Sequence, residues 1–287
     1  MGSLKRIVLA GAAAFVMIPG AFAADLGPIV APMPRVQAPV EDFASGWYLR
    51  GDVGVSRQQF ESFDFTQTNQ AFVWPASWRI DQKDIKDSAL MGVGVGYQFN
   101  AWMRADVTAE YRMSTKVKAV GSYPEFCPGG RCFDVYDADH QASVFMANAY
   151  LDLGTWWCLT PFVGVGVGAV RHNVAAISDI GLISDGTSAF GLADKDNVNW
   201  AFAWAVHAGL SYNVSNNLKL EIAYRYLNMG GAESAVVNCN SAGCANTGGP
   251  AAFYTLTDMD SHDFKVGMRW MLNEPAPVYP PPLMRKG

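Results

Sequence analysis

Met103-Arg104-Ala105-Asp106-Val107-Thr108-Ala109-Glu110-Tyr111-Arg112 alternates strictly between two kinds of side chain. Successive residues of an extended strand point to opposite faces. One face of this stretch therefore carries Met103, Ala105, Val107, Ala109 and Tyr111, and the other Arg104, Asp106, Thr108, Glu110 and Arg112. A helix would scatter both sets around its circumference. A half-exposed strand in a soluble sandwich gives one such case, so the reading turns on whether the pattern repeats.

It does, in runs of about ten residues, the dyad pattern of a strand that crosses a membrane. Upstream, 47–58 sets Trp47, Leu49, Val53 and Val55 against Tyr48, Arg50, Asp52 and Ser56, and 87–99 sets Met91, Val93, Val95, Tyr97 and Phe99 against glycines and Gln98. The stretch quoted above extends over 102–118. Downstream come 141–153, 160–172, 200–214, 218–226 and 263–270, the last pair opposing Leu220, Ile222, Tyr224, Phe264, Val266 and Met268 to Lys219, Glu221, Arg225, Asp263, Lys265 and Arg269. The expected fold is all-β: an eight-stranded antiparallel transmembrane β-barrel. Short turns fall near 100–101, 154–159 and 215–217, and long loops near 59–86, 119–139, 173–198 and 231–260. In such barrels short turns are periplasmic and long loops extracellular. Trp47, Trp102, Trp156, Trp157 and Tyr212 then gather at the periplasmic boundary, where amphipathic rings settle.

The ends of the chain fit export to an outer membrane. Lys5 and Arg6, an apolar run from Ile7 to Ile18 and Ala21-Phe22-Ala23 form a signal peptide over 1–23. That run is too short for the ~20 residues of a spanning helix. Residues 24–45 are a proline-rich periplasmic segment, 46–272 the barrel, and 273–287 a proline-rich tail. The net charge of −5 becomes −7 without Lys5 and Arg6, which excludes nucleic acid as a partner. Charged residues are 16% against 13% aromatics, too few charges for an ordinary soluble surface. Lipid and lipopolysaccharide are the expected surroundings, with the barrel-assembly machinery as a partner during biogenesis.

Eight strands enclose a lumen that side chains can fill. The inward set balances: Arg50, Arg104, Arg112, Lys219, Arg225, Lys265 and Arg269 against Asp52, Asp106, Glu110, Asp152, Glu221 and Asp263. A pore selective for one sign of ion would carry an excess of the other, and unpaired charges away from water cost several kcal/mol. The expectation is a plug of paired charges, with inward glycines leaving room for the long side chains. No catalytic motif stands out. His207 and Ser211 share one face, but four residues along a strand is roughly 13 Å, too far for a nucleophile and its base. Neither a metal nor another cofactor is expected.

The loops offer two further candidates. Phe63, Phe72, Trp74 and Trp78 make the first loop aromatic enough to act as a ligand-binding or adhesive surface, unless the rings pack over the barrel mouth. Cys127/Cys132 and Cys239/Cys244 form two C-x4-C pairs in an oxidising compartment, where small disulfide rings at loop tips are expected, with Cys158 left over.

Four segments carry a family likeness: Gly46-Trp47-Tyr48-Leu49-Arg50-Gly51, Gly92 to Phe99, Thr160 to Gly168, and Glu221 to Gly230, with His262-Asp263 opening the last strand. On these the chain resembles the alphaproteobacterial outer-membrane β-barrel surface antigens, porin-family relatives of the opacity proteins. The resemblance implies a monomeric eight-stranded barrel with structural and surface-exposed roles, haem binding or adhesion in some relatives, and no catalytic residues. Two features depart from it: the cysteines, and a last strand that ends near Trp270-Met271-Leu272 with 15 residues still to follow. Three functions remain in view: a structural barrel and surface antigen with a charge-plugged lumen, a small porin-like diffusion channel, and a haem-binding or adhesive protein acting through the first loop.

Overall fold

The computed structural model describes residues 45–68, 77–124, 132–182, 188–193, 195–239 and 251–272. The signal peptide, nearly all of 24–45, the tail, Phe72, Trp74, Cys127 and Cys244 lie outside them, as does the side chain of Cys239. In chain order the strands are β1 (Gly46–Gln59), β2 (Ser62–Gln67), β3 (Arg79–Ile85), β4 (Ser88–Gln98), β5 (Met103–Tyr123) and β6 (Cys132–Asp152). There follow β7 (Leu159–Leu182), β8 (Ser188–Ala193), β9 (Asn197–Asn213), β10 (Leu218–Glu233), β11 (Val237–Cys239) and β12 (Ala251–Met271).

Eight of these close a ring in the order β1-β4-β5-β6-β7-β9-β10-β12, all antiparallel, with β12 pairing back onto β1 from Tyr48↔Met271 to Gln59↔Asp260. Closure leaves no strand edge inside the hydrocarbon, where each unpaired backbone group would cost several kcal/mol. The outward side chains make an apolar belt, among them Leu49, Val53, Val93, Val107, Val165, Phe202, Ile222 and Phe264, all well exposed. Trp47, Trp102, Trp156, Trp157 and Tyr212 are exposed at the short-turn end. The turns there are locally specified: Asn100 Oδ1 accepts from the backbone N–H of Trp102 and Met103, and Ser215 Oγ from that of Asn217 and Leu218.

The long connections depart from the expectation of loops. Most of their described residues are strand. β5, β6, β7 and β12 each run 21 residues or more, about twice what a crossing needs. Above the belt β3 adds to β5, β8 sits between β7 and β11, and β2 and β11 add to β12. The barrel thus continues outward as a walled crown. Four β-bulges mark where belt becomes crown: one on β5 between Arg112 and Thr115, opposite Gln141, one on β7 at Ala176, one on β10 between Asn228 and Gly230, and one on β12 at Asp258. Each inserts an extra residue and shifts the alternation by one. On β5 the inward positions are Arg104, Asp106, Glu110 and Arg112 below the bulge but Thr115, Val117 and Ala119 above it.

Inward glycines set how closely the walls and the lumen pack. A Cβ on Gly94 would lie 2.8 Å from both Thr108 Cγ2 and the Val107 carbonyl and 3.0 Å from Arg50 Cγ, and one on Gly164 would meet the Ala149 carbonyl at 2.8 Å and the Tyr150 ring. Gly94→Val and Gly164→Val should each cost ~1–3 kcal/mol of stability, read as a lowered urea midpoint of the refolded barrel. Val93→Ile, on the lipid face beside Gly94, should leave the midpoint unchanged.

Candidate functional site

Arg50, Asp52, Arg104, Asp106, Glu110, Arg112, Asp152, Lys219, Glu221, Arg225, Lys265 and Arg269, together with Asp263, are all buried on the inner face of the ring. Register alone does not separate their charges. Arg50, Arg269 and Lys219 are direct cross-strand partners on β1, β12 and β10, three cations in one row, an arrangement that repels. The carboxylates resolve it. Glu221, one step further along β10, contacts Arg269 at 3.1 Å, Arg104 at 3.4 Å and Arg50 at 3.6 Å. Asp152 holds Arg104 at 3.1 Å, and Arg50 is shared between Asp52 at 2.9 Å and Asp106 at 2.8 Å.

A second cluster, further from the periplasmic turns, repeats the arrangement. Glu110 contacts Arg225 at 2.6 Å, Lys265 at 3.0 Å and Arg112 at 3.2 Å, while Asp263 bridges Arg112 and Arg225 at 2.6 Å each. Lys265 joins the two clusters through Asp52 at 3.6 Å. Neutral groups complete the network: Tyr48 and Asn148 donate to Asp106, Arg112 to Ser56 and Ser261, and Arg269 to Gln98. The Arg104 guanidinium also lies over the rings of Tyr150 and Phe162, at 4.2 and 4.6 Å, a cation–π arrangement. One connected network thus crosses the lumen, with Glu110 and Glu221 as three-cation hubs. The sequence supplies its members but not these hubs, because nothing in the alternation says which carboxylate reaches which guanidinium.

Beyond the network the interior changes character. His140 and His172 are fully buried and hydrogen-bonded to each other at 2.9 Å, and the second ring nitrogen of His172 lies 3.0 Å from the Met229 carbonyl. A carbonyl can only accept, so His172 carries its proton on Nε2. His140 must then donate from its own Nε2 to His172 Nδ1. An apolar core begins along the β6–β7–β9–β10 wall with Met146, Val170, Ala203, Leu227 and Met229, and fills the crown with Phe60, Phe63, Val117, Tyr136, Ile177, Tyr254, Leu256 and Met259. This corrects the reading of Phe63 as a surface aromatic: it is buried, stacked 5.3 Å from Tyr254. Trp78 is half-buried, edge-on to Phe65 at 4.8 Å. Cys132 is disulfide-bonded, and Cys158 is free and exposed at the β6–β7 turn. His207 and Ser211 are both buried, on opposite sides of Gly209 along β9.

Asp134 and Asp179 sit inside this apolar crown, diagonal to each other across β6 and β7 through the pairs Asp134↔Gly181 and Tyr136↔Asp179. Their hydroxyl donors are Tyr136 at 3.4 Å to Asp134 and Tyr254 at 2.7 Å to Asp179. No lysine or arginine among the described residues is buried beside them. Burial raises both carboxyls, Asp134 to about 7 with help from the Asp179 charge and Asp179 to about 6. The folded crown therefore holds protons that the unfolded chain releases. That stabilisation is complete below the ordinary carboxylate range near pH 4 and is lost as pH rises through 6 and 7. Relative to wild type, the Asp134→Asn/Asp179→Asn variant should therefore gain urea midpoint as the pH is raised from about 5 to about 8, because it lacks the two carboxyls whose protons wild type must give up. A midpoint difference between wild type and variant that ignores pH over this range would refute the assignment.

The family model described as "Outer membrane protein beta-barrel domain" matches residues 29–271. An uncharacterized protein of Brucella suis biovar 1 is 32% identical over 280 residues, covering 88% of this chain and 93% of its own. A Rickettsia bellii protein that carries an adhesin designation is 26% identical over 227 residues, covering 78% and 87%. Among solved structures, OprG from Pseudomonas aeruginosa is 13% identical, with a TM-score of 0.46 and coverage of 79% of this chain and 97% of that one. With the ring, the belt and a family match over most of its length, the chain belongs to the outer membrane protein beta-barrel domain family and resides in the outer membrane.

Proposed function

We propose that this is a structural barrel of the outer membrane whose lumen is closed by its own charge network and whose crown is displayed at the cell surface as an antigen. The observation that carries the reading is the pair of buried hubs, Glu110 and Glu221, each within salt-bridge distance of three cations. A conducting lumen would keep such groups hydrated and exchangeable. Here the side chains of Arg104, Arg112, Arg225 and Arg269 are fully buried, and the apolar crown stands over them. Outer-membrane lipid and lipopolysaccharide surround the belt, and the barrel-assembly machinery inserts the chain.

An adhesive role is the second reading, favoured by the designation of the Rickettsia relative. With Phe63 buried, adhesion would act through the outer wall of the crown and not through that ring.

Planar-bilayer recording of the refolded mature chain tests the first reading. The wild type should be silent. Glu221→Gln leaves Arg50, Arg104 and Arg269 without their shared partner. It should cost ~3–5 kcal/mol, as breaking a buried ion pair does, and open an anion-preferring conductance. Steady conductance from the wild type would sink the plug and leave a narrow porin.

A further inference from the structure

We infer that a cleft in the wall of the crown, between β1 and the junction of β3 with β4, binds the phosphorylated sugar headgroup of an outer-leaflet glycolipid. β1 pairs with β4 only as far as Ser56↔Ser88. Above that row β1 runs on against β12, to Gln59↔Asp260, while β3 pairs with β5 from Ile85↔Val117 upward. The two strands part, and no strand pairing among the described residues bridges the gap. The opening is a cleft of about 770 Å³, lined from Arg57 to Phe60 on one side and from Lys83 to Asp87 on the other, within the size range of small-molecule sites. It runs through the wall: Arg57 is exposed on the outer face with Val55, whereas Gln58 and Phe60 are buried on the inner one.

The cleft stands at the height of lipid headgroups. From Trp47 at the short-turn end to Arg57 is roughly 33 Å of strand, which at the ~40° tilt of such barrels rises about 25 Å, the height of their apolar band. The row just beneath confirms the edge: Val55 lies between Phe264 and Ala89, and Val53 between Val266 and Met91, all facing lipid.

The charges suit a phosphate. Arg57, Lys83 and Lys86 face the cleft with Asp84 and Asp87, and all five are exposed. Arg57 and Lys83 have no carboxylate partner among the described residues. Lys86 reaches Asp84 at 3.9 Å through side chains 67 and 68% exposed, a contact worth little. The Lys83 ammonium leans across the gap, 5.3 Å from the centre of the Phe60 ring. Gln58 then decides between kinds of phosphate. It is 5% exposed, and its Oε1 has no hydrogen-bond partner among the described residues, a condition rare for a buried acceptor. A bare phosphate brings acceptors only, whereas a sugar ring brings hydroxyl donors for Gln58 Oε1 and for the two carboxylates. An ethanolamine phosphate also carries a donor but leaves most of the volume unfilled.

Binding of a fluorescent bis-phosphorylated lipid A to the refolded mature chain in neutral detergent micelles tests this, whether or not the lumen conducts. Heat-modifiable gel mobility checks that each variant is folded. The wild type should bind saturably, and Arg57→Ala with Lys83→Ala and Lys86→Ala should weaken binding at least about ten-fold. Gln58→Leu should weaken binding of lipid A but not of phosphatidic acid, which has the phosphate without the sugar. Arg171→Ala, on β7 half the ring away, should change nothing. Equal binding by the wild type and the triple variant, an unchanged Gln58→Leu, an equal loss with Arg171→Ala, or dephosphorylated lipid A or phosphatidylethanolamine binding as tightly as lipid A would each overturn the inference. Competition by soluble glucosamine 1-phosphate at equal concentration would overturn it too, by assigning the cleft to a free sugar phosphate.

Discussion

In hydrocarbon a backbone N–H has nothing to bond but another strand, and the pairing of β1 with β12 supplies the last partners. Everything else in this molecule depends on that closure. Once the ring is shut, every strand has a lipid side and a lumen side, and the two-residue period decides which residues go to each. Leu49, Val53 and Val266 can face acyl chains only because Arg50, Asp52 and Lys265, their neighbours in sequence, have somewhere polar to go. The charge network is the complement of the belt, enforced residue by residue.

Closure also explains how a small lumen tolerates so many ions. The ring fixes where each Cα stands, and it sets Arg50, Arg269 and Lys219 abreast. Side-chain length then does what register does not. Glu221 reaches three guanidinium groups from a single position, and the glycines on β4, β7 and β12 leave the volume into which those groups extend. Such a network is weak evidence for stability, since burying charges costs about as much as pairing them returns. Its value lies in specificity: a register slip by one residue would bring the ions into lipid.

The belt and the lumen were legible in the sequence because each transmembrane run keeps its parity from end to end. Arg104 to Arg112 on β5 and Asp263 to Arg269 on β12 could be assigned without coordinates. The crown was not legible, and the bulges say why. At Ala176 and Asp258, and between Arg112 and Thr115, one inserted residue shifts the period. Val117, Ile177 and Leu256 then fall on the inner face, although extrapolation from the strand below puts them outside. A strand whose phase changes midway looks patternless, as a loop does. β6 keeps its phase from Cys132 to Asp152, but its upper half lies between the belt-style alternation below and proline and glycine above. The hubs at Glu110 and Glu221 were hidden for another reason, since their partners come from strands distant in sequence.

The ring is joined by its first and last strands, so no partial chain can be a barrel. Until Asp260 to Met271 arrive, β1 offers an open edge, and Arg50, Asp52 and Ser56 lack the neighbours that seal them in. Contacts between chain ends are entropically the costliest to form, and here they come last. Folding of this chain is therefore a deadline as much as a pathway. The unfinished polypeptide must be kept from pairing with itself or its neighbours throughout its passage across the periplasm, and it commits to the membrane only when its end is in hand.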